Sequence, residues 1–530
     1  MMGVGQPDED FPMIGRSPSH LPGRRSRRWA PLGAAVSALL ACGLACSSGT
    51  TPTGTFTTYT TAFSAKANYN LDILFMIDNS TGMSAVQQKL IDQFPTFMQT
   101  LQALPMGLPN VQIAVVSSDM GAMSDQGAGI GCSQNGGDSG LFQVMPRGTC
   151  PSTTLTPGAT FITDDAAGTS KDFSLADPMG ISTVLQCIGF LGGSGCGFEH
   201  QLASIDRALG ADNPGFPNPP AQNTGFVRDG AYLAIIILTN EDDCSAPANT
   251  TLFSLNGGQQ DLTNPLGPIA NYRCNRYGHL CEDPNGPSPT TLQQPPLNPP
   301  SDATGAVGAQ TLTLDSCQSN DTDSGMLIPV SQFISDIKAL KPDPDRQIFV
   351  AAITGPTTPY TVQWVPPNIT PPESWPQVEY SCGPTGDESF ADPAIRITQF
   401  VNGFHNSVVT SICDDSYQAA MSGIAAGIGG MMTASGSPCL NVTPHQNALG
   451  HPDCSITNEG TNAGETKAIV VRDCLENGGA APCWTLAPDA TTCPDGGLAL
   501  MVSPDPANPN VDEVLISCEV CRPGVAAPGC

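Results

Sequence analysis

The sequence has 530 residues, 48 acidic and 20 basic side chains, and a net charge of −28. A surface of that sign repels phosphate backbones, which excludes nucleic acid as a natural partner and favours cations or basic protein surfaces. Charged residues are only 13% of the chain and apolar residues a normal 40%, while glycine (56) and proline (50) are abundant, which describes long ordered loops on a packed core rather than disorder.

At the N-terminus Arg24, Arg25, Arg27 and Arg28 precede an apolar run over 30–41. That run is too short to cross a bilayer as a mature helix, so residues 1–41 are expected to be a signal peptide. It closes on Leu39-Leu40-Ala41-Cys42, which resembles the lipobox at which bacterial signal peptidases cut and a diacylglycerol is attached. Cys42 is the expected lipidation site; Cys46, after Gly43-Leu44-Ala45, is the alternative, and choosing it leaves an even number of cysteines for pairing. The other reading is an ordinary secretory signal with cysteines in its tail. No later stretch reaches the ~20 apolar residues of a transmembrane helix. The chain is therefore expected to be an outer-membrane or cell-surface lipoprotein, or else periplasmic or secreted, touching a membrane only through a lipid anchor. In that oxidising compartment the cysteines from Cys132 onward read as a disulfide framework. Cys518-x-x-Cys521 has no second pair at zinc-finger spacing and reads as bridging cysteines rather than zinc ligands.

Residues 42–67, rich in serine, threonine and glycine, read as a flexible linker. Segment 71–78, LDILFMID, is almost continuously apolar, as a strand buried on both faces of a parallel sheet must be. Val86, Leu90, Phe94, Phe97, Leu101 and Leu104 then recur at helical spacing, with a kink expected at Pro95. VQIAVVSSD, 111–119, is a second buried strand, followed by an insertion over about 120–185 that contains Cys132 and Cys150. Leu202, Ile205 and Leu209 line a helix, which places His200 on a helix surface, and AYLAIIILTN, 231–240, is a third strand. A second insertion over about 244–325 is rich in proline, asparagine and glycine; helix 330–340, strand 347–354, a third insertion over about 356–390 and a closing helix 417–432 follow. This alternation predicts an α/β domain over 68–434 with a doubly wound, mostly parallel sheet. Residues 437–530 hold eight cysteines and short apolar runs at 498–502 and 514–517, and are expected to form a small disulfide-rich module of strands and loops.

Binding sites in such sheets lie beyond the carboxyl ends of the strands. The first strand ends in Asp78-Asn79-Ser80-Thr81-Gly82-Met83, and DILFMIDNSTGMS resembles the signature of the von Willebrand factor A (VWA) family, over roughly 68–432. The resemblance implies a VWA/Rossmann-like fold. It also implies a metal-ion-dependent adhesion site, where an Asp-x-Ser-x-Ser turn, a loop threonine and a strand-end aspartate hold Mg²⁺ or Mn²⁺. Hard dications take oxygen ligands, and hydroxyls with few carboxylates leave the ion able to accept an acidic group from a partner. Asp78, Ser80 and Thr239 match family positions, whereas Gly82 stands where the family has serine and Asn240 where it has aspartate. The loop threonine has no clear counterpart, Phe198 or Glu199 lying near its place. Thr81, Asp119 and the acidic run Glu241, Asp242 and Asp243 are the groups available to compensate. The expected ligand set is thus Asp78, Ser80, Thr81, Asn240 and Asp119, for Mg²⁺ or Mn²⁺ rather than Ca²⁺. The alternative is that Asp78 and Ser80 only cap a helix and satisfy a turn, and that the acidic run is a solvated loop.

A non-enzymatic binding or adhesion protein of the cell envelope is the resulting expectation, with a protein or glycan as partner. A metal-free VWA scaffold and a secreted hydrolase are the rivals. Gly137-Asp138-Ser139-Gly140 resembles the segment around the nucleophile of trypsin-like proteases, but Leu141 replaces the next glycine and the only preceding histidine, His20, falls in the signal. His200, His279, His405, His445 and His451 form no His-Glu-x-x-His pattern, and no phosphate-cradling glycine loop follows a strand.

Overall fold

A computed structural model describes residues 56–64, 70–104, 107–122, 132, 136–145, 155–164, 180–211, 219–254, 264–299, 311–365, 375–383, 390–435, 439–440, 442–462, 465–488, 493, 497–503 and 513–521. The expected signal peptide, Cys42 and Cys46 lie outside them. Over the described residues the chain is mixed α/β, with three sheets and several disulfides.

In chain order, β1 (Phe56–Ser64) precedes β2 (Asn70–Ile77), α1 (Met83–Ile91), α2 (Phe94–Gln102), β3 (Asn110–Ser117), β4 (Ile162–Asp164), α3 (Gly180–Gly189), α4 (Gln201–Leu209) and β5 (Tyr232–Leu238). Then come α5 (Tyr272–Gly278), β6 (His279–Glu282), β7 (Thr311–Ser319), α6 (Val330–Lys338), α7 (Pro344–Gln347), β8 (Ile348–Thr354), β9 (Tyr360–Val365), β10 (Trp375–Val378), α8 (Ile395–Asn402), β11 (Asn406–Ser411) and α9 (Gln418–Ser435). The chain closes with β12 (Cys439–Leu440), β13 (Cys454–Asn462), β14 (Glu465–Asp473), β15 (Cys483–Pro488), β16 (Leu498–Ser503) and β17 (Glu513–Cys521).

The central sheet runs β11-β8-β5-β2-β3-β4, parallel throughout except for the antiparallel edge pair β3–β4. Every residue of β2 from Leu71 is buried, because successive side chains feed cores on opposite faces. Leu71, Ile73, Phe75 and Ile77 pack with α1, α2, α3 and α9; Leu74 and Met76 pack with α4, α6 and α8. The helix expected over 86–104 is two helices. They part at Asp92 and Gln93, and Pro95 sits in the first turn of α2, where its missing N–H costs nothing.

The second and third insertions are more than loops. Their strands join in a separate sheet, β10-β9-β7-β6, antiparallel at each pairing, with Tyr360, Val362, Trp364 and Leu314 in its core. Cys281–Cys317 links β6 to β7, Cys244–Cys274 closes the segment before β6, and Cys382–Cys413 fastens the third insertion to the end of β11.

The C-terminal sheet has the order β1-β17-β13-β14-β15-β16-β12 around Leu440, Ile456, Val471, Trp484, Leu500 and Ile516. Its first strand comes from the expected linker: β1 pairs antiparallel with β17 from Phe56↔Cys521 to Ser64↔Glu513. A serine- and threonine-rich strand suits an edge whose outer side meets water, so composition alone misplaced residues 56–64. Cys518 bonds to Cys454 and Cys521 is also disulfide-bonded, so Cys518-x-x-Cys521 is occupied by bridges rather than zinc.

One carboxylate fixes the start of α6 from a distance. Asp321 accepts from the amides of Val330 (2.9 Å) and Ser331 (3.0 Å) and from Ser319 Oγ (2.6 Å). Burial works to raise its pKa, but the hydrogen bonds from Ser319, Ser331 and Val330 outweigh it and hold the carboxyl below the usual range. Asp321→Ala is expected to cost about 1–2 kcal/mol at neutral pH in urea denaturation. With a depressed folded pKa, the contribution is present above the ordinary carboxylate pKa and disappears as pH falls through the folded one. The two proteins should therefore converge in acid; a gap that persists there would rule the charged cap out.

Candidate functional site

The carboxyl ends of β2, β3, β5 and β8 gather the polar residues that the apolar strands cannot bury. Asp78 follows β2 and is fully buried. Its Oδ1 accepts from the Ser80 amide (2.8 Å) and Ser118 Oγ (3.0 Å), and its Oδ2 from Thr239 Oγ1 (2.8 Å). Gln87, buried on α1, donates to the Asp78 carbonyl (2.7 Å) and accepts the amides of Leu191 and Gly192 (both 2.9 Å). It thereby bolts the 191–199 loop onto the turn after β2. Gly195 abuts the Asn79 side chain so closely that a Cβ there would lie 2.2 Å from Asn79 Oδ1, and Cys132–Cys196 locks the loop.

That loop delivers Glu199, which is buried beside Asp78. The Glu199 and Glu241 carboxyls are close enough to couple, a crowding that a shared proton or a cation would relieve. Burial first, and then the charges of Glu241 and Asp78, push Glu199 well above the ordinary range. Glu241 is pushed up to about 7 by burial and the Asp78 charge, against the bonds from Glu199 and Asn271. Asp392 is raised as well, by burial and then by Glu241 and Asp242, and its amide donates to the Asn240 carbonyl (2.8 Å). Burial also raises Asp78, in spite of the bonds from Ser80, Thr239 and Ser118.

Among the buried oxygens without a hydrogen-bond partner in the protein are Ser80 Oγ, Asn240 Oδ1 and Glu199 Oε1, on the turns and loops that carry these acids. Crowded carboxyls with orphaned hydroxyl and amide oxygens are the donor types that a hard dication takes. At the rim Tyr380 stacks on Phe390 with ring centroids 4.3 Å apart, and Phe390 lies over Gly82. Tyr380 is about half exposed, and the charges of Asp392 and Glu241 reach it.

Of the expected ligands, Asp78, Ser80 and Asn240 belong to this group. Thr81 is exposed on the turn, and Asp119 is engaged elsewhere: its side chain accepts from the Gly121 amide (2.9 Å) and its carbonyl from the amides of Asp138 and Ser139. Gly82 has φ +98°, a backbone conformation in which a serine would be strained, so the family residue does not suit this turn. Of the acidic run, only Glu241 faces the site. Asp242 and Asp243 are buried structural anions, bonded to Arg396, His279 and Ser245 rather than forming a solvated loop. His200, expected on a helix surface, is fully buried, its amide bonded to Ser118 O and its ring edge-on to Phe253, because α4 is covered on nearly every side. Gly137-Asp138-Ser139-Gly140 is a tight turn against Asp119 and Arg207, and its acid accepts from Ser117 Oγ (2.6 Å). Ser118 carries no sequence signal, and Gln87 only that of a polar residue breaking an apolar helix face.

No protein-family model matches the chain, and no curated protein matches it significantly. Among solved structures it is similar to the pilus adhesin SpaC from Lactobacillus rhamnosus GG (11% identity, TM-score 0.27), covering 89% of this chain and 42% of that one. It is also similar to the human COPII-coat protein Sec24c (7% identity, TM-score 0.25), covering 87% and 46% respectively. The chain thus spans less than half the length of either. Likeness this low carries no argument about fold or function. Among the described residues no helix is long and apolar enough to cross a membrane.

Proposed function

We propose that this chain is an exported binding protein of the cell envelope, lipid-anchored at Cys42, whose central α/β domain is VWA-like, doubly wound, and recognises a protein or glycan with its strand-end face. One observation carries the proposal: Ser80 Oγ, Asn240 Oδ1 and Glu199 Oε1 are buried without protein partners around Asp78. In this reading Asp78, Ser80, Glu199 and Asn240, with Glu241 beside them, would hold Mg²⁺ or Mn²⁺. Bound there, the ion would offset the crowded negative charge and offer an open position to an oxygen of the partner. Glu199, near the place of the family's loop threonine, would supply the charge that Asn240 lacks. The Tyr380–Phe390 stack adds an apolar wall to the same face. The disulfides fit an oxidising compartment. No catalytic residue is proposed.

A metal-free scaffold is the rival, favoured by the three hydrogen bonds that Asp78 already accepts and by the raised pKa of Glu199, which a proton satisfies without a cation. Calorimetry on the chelator-treated protein separates the two. Mg²⁺ or Mn²⁺ should bind wild type at one site and Asp78→Asn not at all, with Ca²⁺ weaker; a hundredfold excess over Kd should stabilise the fold by about 2.7 kcal/mol. Indifference of wild type to millimolar cation makes the scaffold the better account.

A further inference from the structure

A second cluster lies in the C-terminal sheet, away from the strand ends. His445, Asp453 and Glu519 each offer one ligand atom, and these atoms all lie within 4.8 Å of one another. Their backbones close a ring of hydrogen bonds: His445 N donates to Glu519 O (2.7 Å), Glu519 N to Asp453 O (2.9 Å) and Asp453 N to His445 O (2.7 Å). Three side chains therefore leave one rigid junction. The Cys454–Cys518 disulfide joins the neighbours of Asp453 and Glu519, so those two strands are crosslinked one residue from both carboxylates. The imidazole is already oriented, with its Nδ1 3.2 Å from Asp453 Oδ2 and its ring 4.2 Å from that of Phe56 on β1.

We propose that this junction is a surface site for a borderline first-row dication, Zn²⁺ in the first place, with His445, Asp453 and Glu519 as its protein ligands. The donor set selects the ion. Mg²⁺ and Ca²⁺ take oxygen ligands almost exclusively, whereas one imidazole nitrogen with two carboxylates suits Zn²⁺, and the two negative charges balance the dication. Ligand atoms around a tetrahedral zinc at about 2.0–2.1 Å stand about 3.3 Å apart. Asp453 and Glu519 are exposed and reach that spacing by side-chain rotation alone, since the backbone ring already holds their Cα atoms together. Three protein ligands leave a fourth position for water or for a donor from another molecule. Gathering strands β1, β13 and β17 at one point, the ion would also fasten the edge strand through the Phe56–His445 contact.

The test uses the full-length chain without an oligohistidine tag, stripped with chelator and titrated with Zn²⁺ in millimolar Mg²⁺ that saturates any strand-end site. One equivalent of Zn²⁺ should bind wild type. His445→Ala and the isosteric Glu519→Gln should each weaken binding by about tenfold or more, with metal-free melting of Glu519→Gln unchanged. Asp78→Asn should bind this Zn²⁺ as wild type does, which keeps failure at the strand ends distinct from failure here. Wild-type affinity retained in both His445→Ala and Glu519→Gln, or no Zn²⁺ taken up by wild type, would overturn the proposal.

Discussion

Without divalent cation, Glu199→Gln is expected to melt above wild type, and to lose the rise in melting temperature that Mg²⁺ or Mn²⁺ gives wild type. Both effects have one cause. Glu199, Glu241 and Asp78 crowd three acids into a buried corner, where burial and mutual repulsion lift Glu199 well above its ordinary pKa and Glu241 to about 7. The amide of glutamine can still bond to Glu241 but carries no charge, so the repulsion falls, by an amount on the order of a few kcal/mol. The sign of the pH dependence follows. Raised folded pKa values mean that the native state binds more protons than the unfolded chain above the ordinary glutamate pKa, so stability is fully present below that value and is lost as pH rises through about 7. Metal-free wild type should therefore lose stability between pH ~5 and ~8, and Glu199→Gln should lose less of it. Saturating cation should flatten the wild-type profile, because the ion takes over the role of the proton. Melting curves across that range, in chelator and in cation, decide it. A variant that melts below wild type and still responds to cation would remove Glu199 from the site.

Asn240→Asp bears on the same balance. The family aspartate would add a fourth acid beside Asp78, Glu199 and Glu241 and so raise the crowding of charge there. Gly82→Ser adds strain at φ +98°. These departures from the VWA pattern are visible in the sequence as losses; only the packing of the 191–199 loop against Asn79 and Gln87 brings Glu199 beside Asp78.

The central strands were legible because each is buried on both faces, which leaves an unbroken apolar run. The small sheet was not, because β6 and β7 are separated from β9 and β10 by the helices and strand of the main domain, and β7 is mostly exposed, without the alternation that marks a strand. The pairing of β1 with β17 joins residues at opposite ends of the described chain, and no local pattern encodes such a partner. For Asp242 and Asp243 the failure was one of context: adjacent acids usually meet water, and Arg396, counter-ion of Asp243 and backbone amide donor to Asp242, is more than 150 residues away in sequence.

Arg396→Met is expected to destabilise the protein by about 3–5 kcal/mol, the usual loss when one partner of a buried ion pair is removed. Arg396 is fully buried at the start of α8. Its guanidinium donates to Asp243 Oδ2 from Nε (3.1 Å) and Nη2 (3.0 Å), to Ile328 O (2.7 Å) and to Ser319 Oγ (3.0 Å). Its amide and that of Ile397 donate to Asp242, which also bonds His279 Nε2 (2.8 Å). Burial would raise Asp242, but the bond and charge of His279 and these amides hold it below the usual range, so this acid stays ionised in the core. Methionine fills much of the space of the arginine stem but leaves Asp243 charged, buried and without its counter-ion. Asp243 still accepts from Leu202 N (2.9 Å) and Ser245 Oγ (2.6 Å), which keeps the loss within that range. The double mutant Arg396→Met, Asp243→Asn removes the stranded charge and should recover a measurable part of the stability, a coupling that a cavity alone does not produce. Because the same loop carries Asn240 and Glu241, cation binding should weaken in Arg396→Met even at temperatures where it is folded. Urea denaturation of the two variants, with calorimetry on the folded single mutant, tests both. A loss below about 1 kcal/mol would mean that Ser245 and Leu202 suffice for Asp243, and the strand-end loop would then owe its shape to the Cys244–Cys274 disulfide rather than to this ion pair.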